Sequence, residues 1–244
     1  MKLITLNIWG GHLRNPLLKF IHANRDVDIF CLQEVYHNAH RTIANKDKDR
    51  ELSLNIFTDL QKLLPEHHAI FKAAVENVYG IGMLIKNNID IIGEGEINIH
   101  RRRHYPGIGL NHDRNLQWIE CELNNKIYSI LNVHGLWNGQ GKKDTPERID
   151  QSNRIRQFMD TINTPKILCG DFNLRPETQS MSILERDMKN LIKDYKIRST
   201  RTRFYSKEEQ FADYILTSPE IIVNQFAVMS AEVSDHSPLF IDFD

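Results

Sequence analysis

The chain has 244 residues, of which 41% are hydrophobic and 26% are charged, as in an ordinary soluble globular protein. This composition excludes intrinsic disorder, collagen-like repeats and a coiled coil as the main architecture. Lys and Arg total 31 against 32 Asp and Glu; the net charge of −1 argues against a nucleic-acid binder that relies on a basic tail, although not against a nuclease that grips a few phosphates.

The cysteines and the N-terminus bear on where the protein works. Cys31, Cys121 and Cys169 are odd in number and lack CxxC spacing, which is typical of reduced core residues in a cytosolic protein. The N-terminal run MKLITLNIWGG is too short and too polar for a signal peptide, and no apolar run approaches the roughly 18 residues of a membrane span. We therefore expect a cytoplasmic monomer without a membrane span.

The first half of the chain predicts strands and helices in alternation. Lys2–Ile8 predicts a strand, and Asn15 with Pro16 predicts the N-cap and first residue of a helix. Asp28–Val35 predicts a second strand, and Leu52–Leu64 predicts a helix that ends at a proline. Three further β-type runs follow: His68–Ala73, Tyr79–Lys86 and Ile89–Ile97.

The second half begins with a hairpin, in which Asn124–Asn125 joins strands Leu116–Leu123 and Lys126–His134. Thr145 and Pro146 then open a helix, and Lys166–Cys169 predicts a buried strand. One helix is expected through Met181, Leu184, Met188 and Leu191. The last strands are expected at Ala212–Thr217, Ile221–Met229 and Pro238–Phe243.

Many consecutive strands with helices between groups do not form a simple βαβ chain. They favour a single domain over residues 1–244, an α/β (α+β) fold that is a four-layer α/β/β/α sandwich of two mainly antiparallel sheets. Burial on both faces explains strands such as IFCL that barely alternate.

Several apolar runs end in polar residues that a core does not favour. A buried carboxylate needs a partner or a metal, and strand ends from two sheets can converge on one cleft. Together these residues predict an oxygen-rich metal site with proton-transfer groups. They are Asn7, Glu34, His134, Asp171, Asn173, Asp213, Asp235 and His236.

Each of these residues also has a structural interpretation. Glu34 alone is typical of a salt-bridged strand end, and His134 alone of a buried structural histidine. The GDFN and SDHSP segments can be simple turns. Only the joint occurrence of these residues, in this order, favours a catalytic site.

The order of these segments resembles the endonuclease/exonuclease/phosphatase superfamily of metal-dependent phosphoesterases. The resemblance spans residues 5–239, essentially the whole chain, and the combination of LQE, GDFN and SDHSP is specific. The matching segments are TLNIWG, LQEV, YGIGMLI, NVHG, GDFN, ADYIL and SDHSPL.

The resemblance implies a divalent cation, Mg²⁺ or alternatively Mn²⁺. Glu34 of the LQE segment corresponds to the family's metal ligand, and Asn7 lies beside it, where it should bind the metal or touch the phosphate. Asp235 matches a further metal-site position. Mg²⁺ prefers oxygen ligands and keeps several waters, so one or two carboxylates suffice to hold it.

The resemblance also implies catalytic roles. Asp171 corresponds to the aspartate that orients or deprotonates the attacking water, and Asn173 to the asparagine that holds the water or a phosphate oxygen. His236 contacts the scissile phosphate, and Asp213 supports that histidine. His134 corresponds to a histidine that donates to the phosphate or assists the leaving group, although Val133 replaces the usual threonine of this segment.

Substrate choice in this family depends on loops, and two stretches combine basic and aromatic residues. These are HRRRHY, at His100–Tyr105, and GLWNGQGKKD, which carries Trp137, Lys142 and Lys143. Such stretches suit phosphate contact with base stacking, although a solvated charge run is the alternative. Arg114 and Arg148 recur near the site in the family, and a surface salt bridge is an equal alternative for Arg148.

These observations predict a Mg²⁺-dependent phosphodiesterase acting on nucleic acid or a nucleotide derivative by attack of water. The alternatives are a phosphomonoesterase, a lipid-head-group hydrolase of the sphingomyelinase or inositol phosphatase kind, and an inactive binding protein. An inactive protein should have lost a catalytic residue, and all are present. The chain has no GxxxxGK[ST] P-loop and no GxSxG nucleophile elbow.

Overall fold

The structure is a computed structural model that describes residues 1–39, 53–102, 111–123 and 125–244. Within these ranges it contains two six-stranded sheets. The strands are β1 Lys2–Asn7, β2 Ile29–Tyr36, β3 His67–Val75, β4 Tyr79–Lys86, β5 Asp90–His100, β6 Arg114–Leu123, β7 Lys126–His134, β8 Lys166–Asp171, β9 Lys189–Asn190, β10 Asp213–Thr217, β11 Val223–Val228 and β12 Leu239–Phe243. The helices are α1 Arg14–Ala23, α2 Ile56–Leu63, α3 Pro146–Met159, α4 Gln179–Glu185 and α5 Leu191–Asp194, with a 3₁₀ turn at Trp9–Gly11.

The two sheets are built on the same plan. The first has the order β11-β12-β1-β2-β4-β3, and the second has the order β5-β6-β7-β8-β10-β9. In each sheet the described strands form one parallel pair, β1–β2 in the first and β7–β8 in the second, and the other neighbours are antiparallel. The prediction of two mainly antiparallel sheets in an α/β sandwich is therefore confirmed.

The alternation of side chains along the strands explains the layers. On β1, Ile4 and Leu6 belong to one apolar cluster with Leu17 of α1 and Phe57 of α2. Their neighbour Leu3 belongs to a second cluster, which joins the two sheets and also contains residues of α3 and α4. Successive residues of a strand point to opposite faces, so each sheet is covered on both sides. None of the helices in the described ranges is long and apolar enough to cross a membrane.

The prediction of Asn15 as an N-cap is wrong. Helix α1 begins at Arg14 and has Leu13 at its cap position, which makes no side-chain cap hydrogen bond. Asn15 and Pro16 lie in the first turn. The first four N–H groups of a helix have no partner within the helix, so proline is tolerated there beyond the first position.

The prediction of one helix from Met181 to Leu191 is also wrong. Helix α4 ends at Glu185, and the chain then pairs with β10 as the short strand β9. Asn190 Oδ1 accepts hydrogen bonds from the N–H groups of Ile192, at 3.0 Å, and Lys193, at 3.4 Å. This side chain starts a new helix, α5, because it satisfies N–H groups that a first helical turn leaves free.

The remaining predicted elements are present with shifted ends. The β6–β7 hairpin forms, with Leu123 paired to Lys126, whereas Asn124 of its turn lies outside the described residues. Leu52 of the predicted 52–64 helix and Arg103–Tyr105 of the HRRRHY stretch also lie outside them, and the helix begins at Ile56, after a turn at 54–55. The three cysteines are buried and free, as predicted.

Candidate active site

The parallel pair in each sheet determines where the polar residues meet. Asn7 ends β1 and Glu34 lies near the end of β2, whereas His134 ends β7 and Asp171 ends β8. His134 is the ladder partner of Asp171, and Asp213 on β10 pairs with Asp171 from the other side. The two sheets thus bring their carboxyl-terminal strand ends to one place.

An irregularity in β2 sets the direction of Glu34. The register between β2 and β4 shifts between Leu32 and Val35, and Glu34 has a φ of +57°. A bulge of this kind re-aims a side chain out of the regular pleat. The Glu34 side chain remains 29% exposed and faces the cavity described below.

Asn7 connects the two sheets at the centre of the site. Its Nδ2 donates to Glu34 Oε1 at 3.1 Å and to Asp171 Oδ2 at 3.0 Å. Its backbone carbonyl accepts a hydrogen bond from Ser234 Oγ at 2.7 Å, which joins the SDHSP segment to β1. Asn7 is fully buried and holds two carboxylates in fixed positions.

Hydrogen bonds of the GDFN segment fix the position of Asp171. Asp171 Oδ1 accepts a hydrogen bond from the Asn173 N–H at 2.9 Å, and Asn173 Nδ2 donates to the Gly135 carbonyl at 3.2 Å. Gly170 has a φ of +133°, and an added Cβ there would lie 2.1 Å from the Val133 oxygen. Only glycine permits this close approach of β8 to β7.

The charge of Asp171 is stabilised by its neighbours. Burial raises the pKa of Asp171, but His236 and then Lys142 outweigh burial and hold the pKa well below its usual range. Asp171 is therefore an ionised acceptor, 3.7 Å from His134 Nε2 and 3.7 Å from His236 Nε2.

His236 is oriented by a buried carboxylate. Its Nδ1 lies 2.8 Å and 2.9 Å from the two oxygens of Asp213, and Thr200 Oγ1 donates to Asp213 Oδ2 at 2.9 Å. Burial lowers the pKa of His236, but the surrounding carboxylates, Asp213 first among them, outweigh burial and raise it. The arrangement leaves Nε2 facing the cavity as a donor in the protonated state.

His134 has the opposite electrostatic character. Burial, and then Arg114, hold the pKa of His134 well below its ordinary value. Its Nε2 lies 3.9 Å from Glu34 Oε1. The site therefore combines a histidine that favours the charged form with one that favours the neutral form.

The carboxylates of the site favour a bound cation. Burial and the nearby Asp235 raise the pKa of Glu34, so its ionised form is destabilised in the absence of a cation. Asp171, Asp213 and His236 also form a buried group with donor atoms within 4.8 Å of one another, which is compatible with a divalent metal. Since His236 Nδ1 is already engaged by Asp213, the oxygen-rich side around Glu34 fits a hard cation better.

These residues line a cavity of about 470 Å³. Its walls contain the predicted residues Glu34, Arg114, His134, Trp137, Lys142, Asp171, Asn173, Asp235 and His236. Asn7 and Asp213 lie behind this lining, in contact with residues that do face the cavity. The structure thus brings together all eight residues expected to be catalytic or metal-binding.

Two predicted substrate-binding residues do not line the cavity. Lys143 is exposed on the surface. Arg148 is fully buried, and its guanidinium donates to the carbonyls of Leu136, Lys143 and Gly141 at 3.2, 2.6 and 2.6 Å. Arg148 therefore holds the loop that carries Trp137 and Lys142.

Six lining residues were not singled out from the sequence. They are Tyr36, Tyr79, His112, Arg201, Tyr205 and Lys207. Tyr79 stands in the YGIGMLI segment, where its position at a strand start was the available signal. Arg201, Tyr205 and Lys207 lie in the polar stretch RSTRTRFYSKEE, whose mixture of basic and aromatic residues was the only signal.

We expect Arg148→Met to weaken both the fold and substrate binding. The substitution leaves three carbonyls without their charged donor, and each such hydrogen bond contributes about 1.5–3 kcal/mol. The free energy of unfolding should fall by at least about 4 kcal/mol in urea titrations, and KM should rise as the loop loosens. The matched control is Arg154→Met on the same helix, whose side chain is 53% exposed and pairs with Asp150. A control variant as unstable as Arg148→Met would contradict the loop-anchoring role.

Comparison with known families agrees with this geometry. The sequence matches the Endonuclease/Exonuclease/phosphatase family over residues 4–236, and the chain belongs to that family. The protein is thus a phosphoesterase of this family, a class of hydrolytic enzymes. A comparison with curated proteins gave no match.

Solved structures share the fold along the whole chain. A mannosyl-6-phosphatase from Bacteroides thetaiotaomicron VPI-5482 is 16% identical, with a TM-score of 0.76, and the match covers 100% of this chain and 99% of that chain. Humanized D. rerio TDP2 is 16% identical, with a TM-score of 0.73, over 100% of this chain and 98% of that chain. The human Nocturnin catalytic domain is 18% identical, with a TM-score of 0.71, over 100% and 93%. At these sequence identities, the similarity establishes a shared fold and nothing further.

Proposed function

We propose that this protein is a Mg²⁺-dependent phosphodiesterase that hydrolyses nucleic acid or a nucleotide derivative by attack of water. This proposal rests on the convergence of Asp171, His236 and Glu34 on one cavity, which also holds basic side chains with donor atoms that have no hydrogen-bond partner among the described residues. Phosphodiester hydrolysis needs an aligned nucleophile and neutralised phosphoryl oxygens, and this arrangement provides groups for both.

The cavity wall favours a nucleotide over a lipid head group. Four aromatic side chains, Tyr36, Tyr79, Trp137 and Tyr205, line it. Aromatic rings bind nucleobases by stacking, and basic groups beside them bind the phosphates. The volume of about 470 Å³ lies within the range of small-molecule sites, which suits a nucleotide or the end of a strand.

Each side chain has a distinct part in the proposed reaction. Asp171, ionised and held by two hydrogen bonds, accepts a hydrogen bond from the attacking water and directs its lone pair at phosphorus. His236, held by Asp213, donates from Nε2 to a phosphoryl oxygen as negative charge develops. Neutral His134 provides a further hydrogen bond to the phosphate or leaving group.

Glu34, Asp235 and the Asn7 side-chain oxygen are the proposed metal ligands. Mg²⁺ is the first choice and Mn²⁺ the alternative, because both prefer oxygen donors. When bound, the ion supplies Lewis-acid activation of the phosphate and orients water. Asn7 Oδ1 accepts a hydrogen bond from the Trp9 N–H at 2.9 Å, so its orientation is fixed by the backbone.

The proposal is tested with end-labelled single- and double-stranded oligonucleotides and bis(p-nitrophenyl) phosphate, each with Mg²⁺. We expect cleavage that is abolished by EDTA, restored by excess Mg²⁺ or Mn²⁺, and lost in Glu34→Ala. Glu122→Ala, at a half-buried position outside the cavity, is the matched control and should retain activity. The product ladder separates exonucleolytic from endonucleolytic action.

The outcomes separate the functional alternatives. Hydrolysis of p-nitrophenyl phosphate without hydrolysis of either diester would overturn the proposal in favour of a phosphomonoesterase. Turnover of phospholipid head groups alone would favour a lipid phosphodiesterase. A folded protein that binds Mg²⁺ weakly and hydrolyses none of these esters would favour a binding role.

A further inference from the structure

Two cationic side chains on one wall of the cavity are buried and have donor atoms without a hydrogen-bond partner among the described residues. Lys142 is 1% exposed, and its Nζ is such an atom. The Arg201 side chain is 5% exposed, and its Nε and Nη1 are two more. A buried charged donor without a hydrogen bond costs several kcal/mol, so such groups are expected to meet an anion in the working protein.

The same wall fixes both charges in place. The Arg201 guanidinium lies 3.8 Å from the ring centre of Tyr205, and Lys142 Nζ lies 5.7 Å from the same ring centre. The Arg201 backbone pairs with His236 in an isolated bridge, and the Lys142 carbonyl accepts a hydrogen bond from the Arg175 N–H. Both cationic heads therefore lie on one aromatic platform beside the catalytic histidine.

Asp235 and Glu209, the acidic residues beside this wall, do not accept hydrogen bonds from Lys142 Nζ or from Nε and Nη1 of Arg201. Asp235 Oδ2 lies 3.6 Å from Arg201 Nη1, beyond hydrogen-bond distance, and Asp235 is a proposed metal ligand. Glu209 is oriented toward Arg175, 3.6 Å from its Nη2, and accepts a hydrogen bond from the Tyr205 hydroxyl at 3.5 Å. The donors of Lys142 and Arg201 remain available to a ligand in the cavity.

The balance of charge around the cavity also favours an additional anionic group in the substrate. Among the described residues, four Lys and Arg side chains line it, namely Arg114, Lys142, Arg201 and Lys207, against three carboxylates, Glu34, Asp171 and Asp235. A divalent cation among the carboxylates would add to the positive excess. The excess of one charge from these side chains alone would be balanced by the single negative charge of a phosphodiester. With a divalent cation bound the excess would be about three charges, and a further phosphate monoester, which adds about −1.5 to −2 at neutral pH, would then balance most of the remainder.

We propose that Lys142 and Arg201 form an anion subsite that binds a second phosphate group of the substrate, next to the scissile phosphate at Asp171 and His236. The substrate class is a nucleotide phosphodiester with a terminal phosphate close to the bond that is cleaved. This inference rests on the proposed function and deepens it. Arg201 offers its planar donor edge and Lys142 a point charge, which are the two modes by which proteins hold phosphate.

The kinetic test uses three dinucleotides that differ only in a terminal phosphate: unmodified, 5′-phosphorylated and 3′-phosphorylated. With Mg²⁺, the wild-type protein should cleave one phosphorylated form with a kcat/KM at least about tenfold above the unmodified form, the range of one charge-assisted contact. Arg201→Met and Lys142→Met keep most of the unbranched aliphatic part of the side chain and remove its charge. In each variant, the ratio of kcat/KM for that phosphorylated form to kcat/KM for the unmodified form should fall close to one. Lys143→Met, next in the chain and outside the cavity, should keep the preference.

A binding test does not depend on turnover. Calorimetric titration with inorganic pyrophosphate in the absence of metal should show affinity at least about tenfold weaker in Arg201→Met and Lys142→Met than in the wild type and Lys143→Met. If no phosphodiester is hydrolysed, the proposed function fails, and this titration alone decides the subsite. If the unmodified dinucleotide is cleaved with the same kcat/KM as both phosphorylated forms, the proposed function stands and the proposed subsite is wrong. Equal pyrophosphate affinity in all four proteins would also overturn the subsite.

Discussion

Replacing Asp171 with Asn should lower kcat by at least about three orders of magnitude while the protein remains folded. The carboxylate is nearly fully buried and ionised, and one of its oxygens accepts a hydrogen bond from the Asn173 N–H. The other oxygen accepts from Asn7 Nδ2. An amide of the same shape loses the charge that attracts the protons of a water, and its NH₂ group opposes the Asn7 donor.

The loss should appear in kcat rather than in KM, because the interaction with the nucleophile strengthens in the transition state. Steady-state kinetics on bis(p-nitrophenyl) phosphate at saturating Mg²⁺ measures both parameters. Asp187→Asn, at a side chain that is 78% exposed, is the matched control and should behave as the wild type. A kcat of Asp171→Asn within tenfold of the wild-type value would remove Asp171 from the proposed mechanism.

Most of the site could be predicted because its residues interrupt apolar strands. Asn7, His134 and Asp171 each end a strand of alternating or continuous apolar residues, and the sandwich brings such ends together. The two parallel pairs, β1–β2 and β7–β8, follow from chain order and the helices that connect the strands. Local sequence patterns were therefore sufficient to predict this part of the fold.

The rest depends on contacts between residues far apart in sequence. Glu34 reaches the cavity through a bulge with a φ of +57°, which the LQEV pattern does not reveal. Arg201 and Tyr205 lie in a polar segment without periodicity, and only its pairing with His236 brings it to the site. Arg148 was expected near the substrate, yet three backbone carbonyls of a neighbouring loop bind its guanidinium. Such assignments require tertiary structure.

The break between α4 and α5 shows how a polar residue can override an apolar pattern. Met181, Leu184 and Leu191 are all buried, as a single amphipathic helix would require. Asn190 nevertheless caps a new helix, and its Nδ2 donates to Glu185 Oε1 at 2.5 Å. Burial of the expected residues was therefore predictable here, whereas the backbone path between them was not.

His236→Ala should lower kcat by about two to four orders of magnitude, the range for loss of a preorganised charged donor. Nε2 lies in the cavity, 3.7 Å from Asp171 Oδ2, while Nδ1 is held by both oxygens of Asp213. Truncation removes the donor and leaves the Asp213 carboxylate buried, with Thr200 as its side-chain partner among the described residues. His68→Ala, on an exposed position of β3, is the matched control and should retain full activity.

In the proposed mechanism Asp213 acts only through His236, and a double variant of the two residues tests this role. Asp213→Asn alone should reduce kcat, since an amide cannot accept in the same way from Nδ1–H and stabilise the imidazolium. In the His236→Ala background the same substitution should change kcat by less than about threefold, because interactions within one unit are not additive. Additive losses in the double variant would show that Asp213 contacts the reacting groups independently, and would overturn its assignment as a positioning residue.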